Sequence, residues 1–427
     1  MLPEGWQRKR LHEIADLDQR SLSSNTPSDF RFRYISLSDV IDGMLSPNLQ
    51  SFEFGSAPSR ARRLVQEGDI LFSTVRPNLL GHLRITEDHA DCVTSTGFSV
   101  LTAKDGNSPQ FLYQCLFSES FKKQIDALVV GSSFPAVGHT EVSNLLINLP
   151  EKREQCLIGQ VLATWDRTIS HTQRLLEVSR KQLLVLLATT LHAAPAMGIA
   201  NSSSDNGGFP VSVQPGIPTL PPTPAGWRRV QIRQHLQEVR RNVRLVPDES
   251  YTLVTVKRSR GGVQQREILR GSEIKTPTQS LVKEGDFLIS KRQIVHGACG
   301  IVPPELDGAL VSNEYAVINT DGQIDLKFLR YLSESRYFQQ TCFHSSIGVH
   351  VEKMIFKTER WLSWPFNIPP LKQQARIVEI LNAASREVEL IERQLVKLRA
   401  EKTALMAQLL SGKRRVRLPV NEAVATP

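Results

Sequence analysis

The chain has 427 residues, 40% of them hydrophobic, which is enough for two or three domains with substantial cores. Its formal net charge of +9 is compatible with a polyanionic partner such as nucleic acid but does not require one. The sequence contains no run of 18 apolar residues and no apolar stretch behind its charged start, so we expect neither a membrane span nor a secretory signal.

The cysteines argue against two further classes of protein. They are odd in number and contain no C-x-x-C pair, which disfavours both a disulfide framework and a structural zinc site. We therefore expect a reducing, cytoplasmic location. The five residues are Cys92, Cys115, Cys156, Cys299 and Cys342.

Short segments of the chain occur twice, in the same order. LPEGW near the start returns as TPAGW, and VQEGDILFS returns as VKEGDFLIS, in which a Gly-Asp turn leads into a predicted strand. The paired segments are residues 2–6 with 223–227, 65–73 with 282–290, 93–95 with 311–313, and 111–124 with 328–341. Because the offset changes only from 217 to 221, we interpret the chain as a duplicated unit.

Each copy ends in a long predicted helix, at residues 150–193 and 369–412, with an apolar strip that repeats every 3.5 residues. A helix of roughly 40 residues is about 60 Å long, too long for a compact core, so it requires a partner helix. The alternative of two unrelated amphipathic helices is disfavoured because Ile158 and Ile377 continue the repeat. The predicted helix–helix interface comprises Ile158, Leu162, Trp165, Ile169, Leu176, Leu183, Leu186, Ile377, Leu381, Val388, Ile391, Leu395, Leu398, Leu405 and Leu409.

These patterns predict a mixed α/β fold with two similar globules separated by two long antiparallel coiled-coil helices. The predicted segments are a first globule (1–149), first long helix (150–194), flexible Pro/Gly/Ser-rich linker (195–223), second globule (224–368), second long helix (369–412) and frayed tail (413–427). A pseudo-twofold internal repeat would place the globules at opposite ends of the helices, where they could read two DNA half-sites. Residues 16–63 and 238–280 match poorly, which fits either different specificities or ordinary loop drift.

The ordered set of motifs resembles the specificity subunit of type I restriction-modification systems. The resemblance rests on LPEGW followed by LHEIA at residues 11–15, on the EGD strand, and on LPEKREQ and IPPLKQQ before the two helices. It covers nearly the whole chain apart from the linker and the tail. The chain departs from the family pattern at Glu151-Lys152, where the family favours Pro-Leu, and at Gln373, where it favours Glu. The second copy also has no clear LHEIA segment.

The resemblance implies two target recognition domains that read a bipartite site on double-stranded DNA, in defence against foreign DNA. The implied partners are two modification subunits, which are adenine methyltransferases using S-adenosylmethionine, and restriction subunits driven by ATP. No cofactor is expected in this chain, since S-adenosylmethionine, ATP and Mg would be bound by the partners.

Motifs for catalysis are missing from the sequence. It has no Asn/Asp-Pro-Pro-aromatic turn, phosphate-binding loop, nuclease carboxylate pattern, H-x-x-x-H pair or G-x-S-x-G turn, so we expect a non-catalytic subunit. We interpret His139 and His296 as loop residues. Two alternatives stay open: a coiled-coil adaptor that joins two protein-binding domains without nucleic acid, and the recognition half of a fused restriction enzyme.

Candidate DNA contacts lie around the repeated EGD strand, where Arg, Lys, Asn, Gln and hydroxyl side chains can meet phosphates and base edges. The loop after the strand is basic in both copies, although solvated surface charge explains most Arg and Lys residues in any protein. The first copy contributes Arg60, Arg62, Arg63, Ser73, Thr74, Arg76 and Asn78. The second contributes Lys257, Arg258, Arg260, Lys291, Arg292, Gln293 and His296.

The first long helix has a wider apolar face than the second. A two-helix contact needs only the strip, so the additional residues are predicted to meet either the chain's own globule or the modification subunit. They are Leu175, Val178, Leu184, Val185 and Leu187.

Overall fold

The computed structural model describes residues 2–41, 43–129, 135–194, 210, 212–276 and 278–416. The chain divides into two compact units, and each is described by itself. Unit 1 comprises residues 1–173 and 393–427, and unit 2 comprises residues 174–392. Each unit therefore contains one globule and a segment of both long helices.

Unit 1 is a mixed α/β globule. Its strands are β1 (Gln7–Arg10), β2 (Ala15–Leu17), β3 (Arg31–Ile35), β4 (Val40–Ile41), β5 (Met44–Leu45), β6 (Gln50–Glu53), β7 (Ala61–Leu64), β8 (Ile70–Ser73), β9 (Leu83–Arg84), β10 (Val93–Ser95), β11 (Phe98–Ala103) and β12 (Leu146–Leu149). Its helices are α1 (Leu11–Ile14), α2 (Pro109–Cys115), α3 (Glu119–Leu128), α4 (His139–Asn144) and the first part of α5 (Lys152–Thr190).

Two sheets form the body of unit 1, in the orders β2-β11-β8-β9 and β6-β3-β10-β7. Strand β10 runs parallel to β3, whereas the other pairings are antiparallel. The EGD strand, β8, is central and apolar, with Phe72 fully buried against Phe121 of α3. Strand β1 pairs with β12 and so joins the start of the globule to its last strand before α5.

Unit 2 repeats this plan. Its strands are β13 (Arg228–Gln231), β14 (Leu236–Val239), β15 (Asn242–Val243), β16 (Ser250–Val256), β17 (Val263–Arg270), β18 (Gln279–Leu281), β19 (Phe287–Ser290), β20 (Cys299–Ile301), β21 (Leu310–Ser312), β22 (Tyr315–Thr320), β23 (Ser346–Ile347), β24 (Ile355–Phe356) and β25 (Pro365–Ile368). Its helices are α6 (Leu326–Leu332), α7 (Arg336–His344), α8 (Thr358–Leu362) and most of α9 (Leu371–Leu409).

The strand orders match between the units. In unit 2 they are β14-β22-β19-β20 and β17-β16-β21-β18-β15, with β13 paired to β25. The single parallel pairing also recurs, since β21 runs parallel to β16. The five-stranded sheet of unit 2 has the additional short strand β15 at one end. The topology therefore confirms the predicted mixed α/β class and internal repeat.

The aspartate of the EGD motif forms a buried ion pair in each globule. In unit 2, Asp286 is buried and its carboxylate accepts two hydrogen bonds from the guanidinium of Arg241, at 2.5 and 3.0 Å. In unit 1, Asp69 is likewise buried and paired with Arg20 at 2.5 Å. Burial raises the pKa of Asp69, and hydrogen bonds from Thr102 and from the backbone oppose that rise. The repeated motif is thus explained by an ion pair inside each globule.

A glutamine in the first turn of each long helix is also structural. Gln374 is fully buried: its amide oxygen accepts the N–H of Asp325 at 2.8 Å, and its amide nitrogen donates to the carbonyls of Gln323 and Pro369, each at 2.9 Å. Gln155 makes the same kind of contacts in unit 1, with Ser108 N–H and Pro150 O, each at 2.9 Å. Each amide therefore anchors the first turn of a long helix to its globule.

The long helices pair antiparallel inside each unit. In unit 1, Lys402 Nζ of α9 lies 2.5 Å from Asp166 Oδ1 of α5, and Gln114 Nε2 of α2 donates to the other oxygen at 2.6 Å. In unit 2, Arg180 of α5 binds Glu392 of α9 at 2.6 Å. Residue numbers rise along one helix as they fall along the other, as the antiparallel prediction requires.

All fifteen predicted interface positions are buried or half-buried. The start of each strip also packs into a globule: Ile158 and Leu162 belong to the main core of unit 1, and Ile377 and Leu381 to that of unit 2. Lys402 is the polar position within the strip of α9, and its ion pair with Asp166 explains why it is tolerated there.

The additional apolar face of α5 divides into two groups. Leu184 and Leu187 pack against the core of unit 2, as one of the two predictions states. Leu175, Val178 and Val185 are each at least 50% exposed. Burial in that core therefore does not account for the apolar character of these three side chains.

Part of the predicted flexible linker is packed. Residues 195–209 and 211 lie outside the described residues, but Val213 is fully buried in unit 2. The Thr223 hydroxyl contacts the Asn367 side chain at 2.9 Å, and the Asn367 amide donates to Pro221 O at 3.0 Å. Both ends of residues 212–223 therefore pack on unit 2, because a turn-rich composition does not exclude docking on a folded surface.

The first residues of the predicted frayed tail are also ordered. Arg415 binds the carboxylate of Glu154 at 2.7 and 2.9 Å and donates to the carbonyl of Glu4 at 3.0 Å. Gly412 has φ +69° and packs so closely that an added Cβ would lie 2.4 Å from Pro3 Cγ. The prediction of fraying is thus wrong for residues 413–416, whereas residues 417–427 lie outside the described residues.

Candidate nucleic-acid interface

In unit 1, the loop after β8 divides into inward and outward residues. Ser73 is buried and its hydroxyl donates to Val75 O at 2.9 Å, while the Thr74 hydroxyl donates to Gly97 O at 2.7 Å. Arg76 and Asn78 are exposed, and Arg76 has a left-handed backbone with φ +49°. The two hydroxyls therefore stabilise the loop, and the two longer side chains are presented to solvent.

The arginines before the EGD turn also divide into exposed side chains and side chains bound within unit 1. Arg60 is exposed. Arg62 lies over the ring of Phe54, 4.9 Å from its centroid, and donates to Ala61 O at 2.8 Å. Arg63 is paired with Asp18 at 2.7 Å, with only 22% of its side chain exposed. Of the three, Arg60 is the best placed to meet a phosphate.

In unit 2, the turn between β16 and β17 carries Lys257, Arg258 and Arg260. Lys257 is exposed, and Arg258 binds the exposed carboxylate of Glu352 at 2.7 Å. Arg260 is 7% exposed and is held by Glu334 at 3.0 Å and by the carbonyl of Ser333 at 3.1 Å. Arg260 therefore supports the turn, while the other two remain at its surface.

The loop after β19 is largely neutralised by nearby carboxylates. Lys291 lies 2.9 Å from Glu238, and Arg292 is paired with Glu314. Gln293 is half-buried. In unit 2 this loop therefore presents less free positive charge than its composition indicates.

His296 is buried among polar groups of unit 2. Its Nδ1 lies 2.9 Å from the Ser212 hydroxyl and its Nε2 lies 3.1 Å from Glu352. Burial lowers the pKa of His296, and the neighbouring Arg258 guanidinium acts in the same direction. The structure thus brings His296 and Arg258, which are distant in the sequence, together on the carboxylate of Glu352.

The sequence analysis did not select the residues of β17. This strand is exposed along nearly its whole length and carries Gln264, Gln265, Arg266 and Arg270. The signal was present as a run of long polar side chains after a Gly-Gly pair. This run lies outside the basic loops around the EGD strand, where the sequence-predicted contacts are.

Buried His82, next to Ser73 in unit 1, predicts a pH dependence of stability. Its Nδ1 accepts the N–H of Ser73 at 3.2 Å and its ring stacks on Phe72. Burial lowers the pKa of His82 to about 3. Between about pH 6.5 and 3 the unfolded chain binds a proton that the folded chain excludes, so the free energy of unfolding falls by about 1.4 kcal/mol per pH unit.

We expect His82→Phe to reduce the acid-induced fall in the free energy of unfolding of unit 1 by about 2 kcal/mol at pH 5. The measurement is hydrogen exchange of the β11 peptide, which reports unit 1, at pH 7 and pH 5 after correction for the intrinsic exchange rate. His171→Gln, at an exposed position of α5, is the matched control. If the pH dependence of exchange is the same in the His82 variant as in the wild type, buried His82 is not its cause.

Among the residues that the structure describes, none of the helices has both the length and the hydrophobicity to cross a lipid bilayer. In the same part of the chain, no group of three or more His, Cys, Asp or Glu residues is arranged to hold a metal ion.

Comparison of sequences finds similarity to known proteins in the first globule and most of α5. Residues 3–180 match the family model described as Type I restriction modification DNA specificity domain. The chain is 30% identical over 115 residues to the HindI specificity subunit of Haemophilus influenzae, covering 26% of this chain and 25% of that protein. It is 24% identical over 198 residues to the MjaVIII specificity subunit of Methanocaldococcus jannaschii, covering 44% and 46%. These alignments span less than half the length of the curated relatives.

Solved structures extend the likeness to the fold of the whole chain. A chain from a study of complex assembly and conformational transition of the type I R-M system aligns with a TM-score of 0.55 and 20% identity, covering 97% of this chain and 100% of that one. The type I restriction-modification S subunit from M. genitalium gives a TM-score of 0.56 and 10% identity, covering 95% and 96%. The sequence of residues 3–180 is thus similar to type I restriction modification DNA specificity domains, and the fold of the chain is similar to that of these solved chains.

Proposed function

We propose that the chain is the DNA-recognition subunit of a type I restriction-modification complex and reads a bipartite target, one half-site per globule. The observation that carries this proposal is the repeat itself: the two units share one strand order, but the edge strand next to β3 in unit 1, β6, has four residues, whereas its counterpart next to β16 in unit 2, β17, has eight. Two copies of one frame with different surfaces suit a protein that contacts one duplex twice with different preferences.

In this proposal the chain itself is not an enzyme. It would direct adenine methylation by two modification subunits and cleavage by restriction subunits. S-adenosylmethionine, ATP and Mg would be bound by those partners, and the complex would act in the cytoplasm. The relatives support this division of roles, because they are named as specificity subunits.

The test is an adenine methylome of a host carrying this gene with its modification partner, compared with the same host lacking this gene. We expect a bipartite adenine mark that disappears in the deletion. Exchange of residues 1–145 for those of another family member should change one half of that mark and leave the other half intact. An unchanged methylome in the deletion strain would refute the proposal, and a change in both halves would refute the assignment of one half-site to each globule.

The methylome also separates the proposal from the adaptor alternative. An adaptor that joins proteins without nucleic acid would leave every methylated site in place when it is removed.

A further inference from the structure

The β16–β17 hairpin forms one end of the five-stranded sheet of unit 2, and β17 is its exposed edge strand. Strand β17 lies at the end of the larger sheet, and over eight residues only Val263 is buried and Leu269 half-buried. An open strand edge of this length is a liability for aggregation, and proteins usually shorten, cover or charge such edges. This edge carries three charged residues, Arg266, Glu267 and Arg270, but it is neither shortened nor covered.

The corresponding strand of unit 1 is different. Strand β6 occupies the same place in its sheet, next to β3, but has only four residues. The hairpin region of unit 2, residues 250–270, contains five Lys or Arg and one Glu, whereas residues 31–53 of unit 1 contain two Arg and three Asp or Glu. The shared topology thus carries a basic ribbon in unit 2 and a slightly acidic one in unit 1, within the segments that match least between the copies.

A β-bulge lies at the middle of β17. The pairing with β16 passes from Leu253–Glu267 to Val254–Gln265, so Arg266 is the extra residue of the bulge. Bulges re-aim side chains and often lie beside functional sites. The Arg266 side chain is 51% exposed and its guanidinium lies 2.5 Å from the exposed carboxylate of Glu267, a pair that solvent screens.

The chemistry of this strand suits base edges. The major groove of B-DNA admits a two-stranded β-ribbon, Arg pairs with guanine, and Gln pairs with adenine. Here Gln264, Gln265 and Arg266 follow one another on the exposed strand, with Lys257 exposed near the turn for phosphate contact. The pair of Lys291 with Glu238 in the loop after β19 is less exposed, with 18% and 20% of the side chains accessible, than the pair of Arg266 with Glu267, with 51% and 44%.

We propose that the β16–β17 ribbon of unit 2 enters the DNA major groove and that Gln264, Gln265 and Arg266 determine the base preference of this unit. The inference rests on the proposed function and adds the residues that carry it. Arg266 reads a guanine from the bulge, and the two glutamines read neighbouring bases.

The experiment uses the complete complex with its modification partner. The wild-type methylome first defines the target, and duplexes with the target or with one substituted half-site are then used in fluorescence-anisotropy titrations at fixed salt. We expect Arg266→Ala, and separately Gln264→Ala/Gln265→Ala, to lower the preference for the intact half-site about tenfold. Affinity for a duplex without the target should change less than about threefold, since phosphate contacts remain.

Arg360→Ala is the matched control, because Arg360 is an exposed arginine on α8 of the same unit. It should leave the preference unchanged, and thermal unfolding of every variant verifies the fold. If both ribbon variants fold and keep the wild-type preference, or lose affinity equally for all duplexes, the inference is overturned. Concentration-dependent self-association of the wild-type chain that Arg266→Pro abolishes would also overturn it, by assigning the edge to a second copy. If the wild-type complex prefers no duplex at all, the proposed function itself has failed.

Discussion

Replacement of Asp286 by Asn is expected to lower the free energy of unfolding of unit 2 by about 3 kcal/mol, because it leaves the Arg241 guanidinium without its ion-pair partner. Asp286 is 2% exposed, and its carboxylate also accepts the N–H of Lys283 at 2.8 Å and the amide of Asn319 at 3.2 Å. An asparagine retains the shape but not the charge, and it turns an amide donor toward groups that are themselves donors.

A double-mutant cycle locates the cause. The free energy of unfolding of unit 2 is measured by hydrogen exchange of β19 and β22. The double variant Arg241→Met/Asp286→Asn should lose about 2 kcal/mol less of this free energy than the sum of the losses in the two single variants. Asp248→Asn, at an exposed position of the same unit, should be neutral within about 0.5 kcal/mol. Strictly additive effects of Arg241 and Asp286 would show that the ion pair is not the source of the loss.

Replacement of Gln374 by Leu is expected to be as severe. The leucine cannot hydrogen-bond to the N–H of Asp325 or to the carbonyl groups of Gln323 and Pro369. Each of these backbone groups, if it is buried away from water and left unpaired, lowers the free energy of unfolding by about 1–3 kcal/mol. Because Gln323 is exposed and water can reach its carbonyl, we expect a total loss of about 3–4 kcal/mol. Exchange protection should fall first in the opening turns of α9 and in α6, which the amide joins.

The neighbouring Gln373 supplies the control. It has the same side chain, one position earlier in α9, and is exposed. Gln373→Leu should change the melting temperature of the full chain by less than about 2 °C, whereas Gln374→Leu should lower it by several degrees. Equal effects at the two positions would mean that the buried amide does not anchor the helix.

The two motifs show why part of this protein could be predicted from its sequence. The duplicated EGD and Gln motifs and the strip from Ile158 to Leu409 are local patterns, and they correctly indicated a repeated α/β unit with two antiparallel helices. Their physical roles were not visible, since Asp286 reaches back to Arg241 and Gln374 reaches back to Asp325. Such partners are 45 and 49 residues apart in the chain.

The candidate interface was less predictable. Arg63 and Arg260 qualify as DNA contacts by residue type and loop position, but Asp18 and Glu334 bind them inside their own units. Arg266 gave no comparable signal, because its exposure at a bulge depends on the register between β16 and β17. Residue type alone does not distinguish an arginine that supports a loop from one that faces solvent.

Periodicity and turn chemistry act over a few neighbouring residues, so the duplication, the mixed α/β class and the two helices could be predicted from the amino-acid sequence. Which charges are neutralised, which strand edge stays open and which part of the linker is docked became visible only in the folded chain. Those properties depend on residues brought together from distant parts of the chain, such as Arg258 with Glu352 and Arg415 with Glu154.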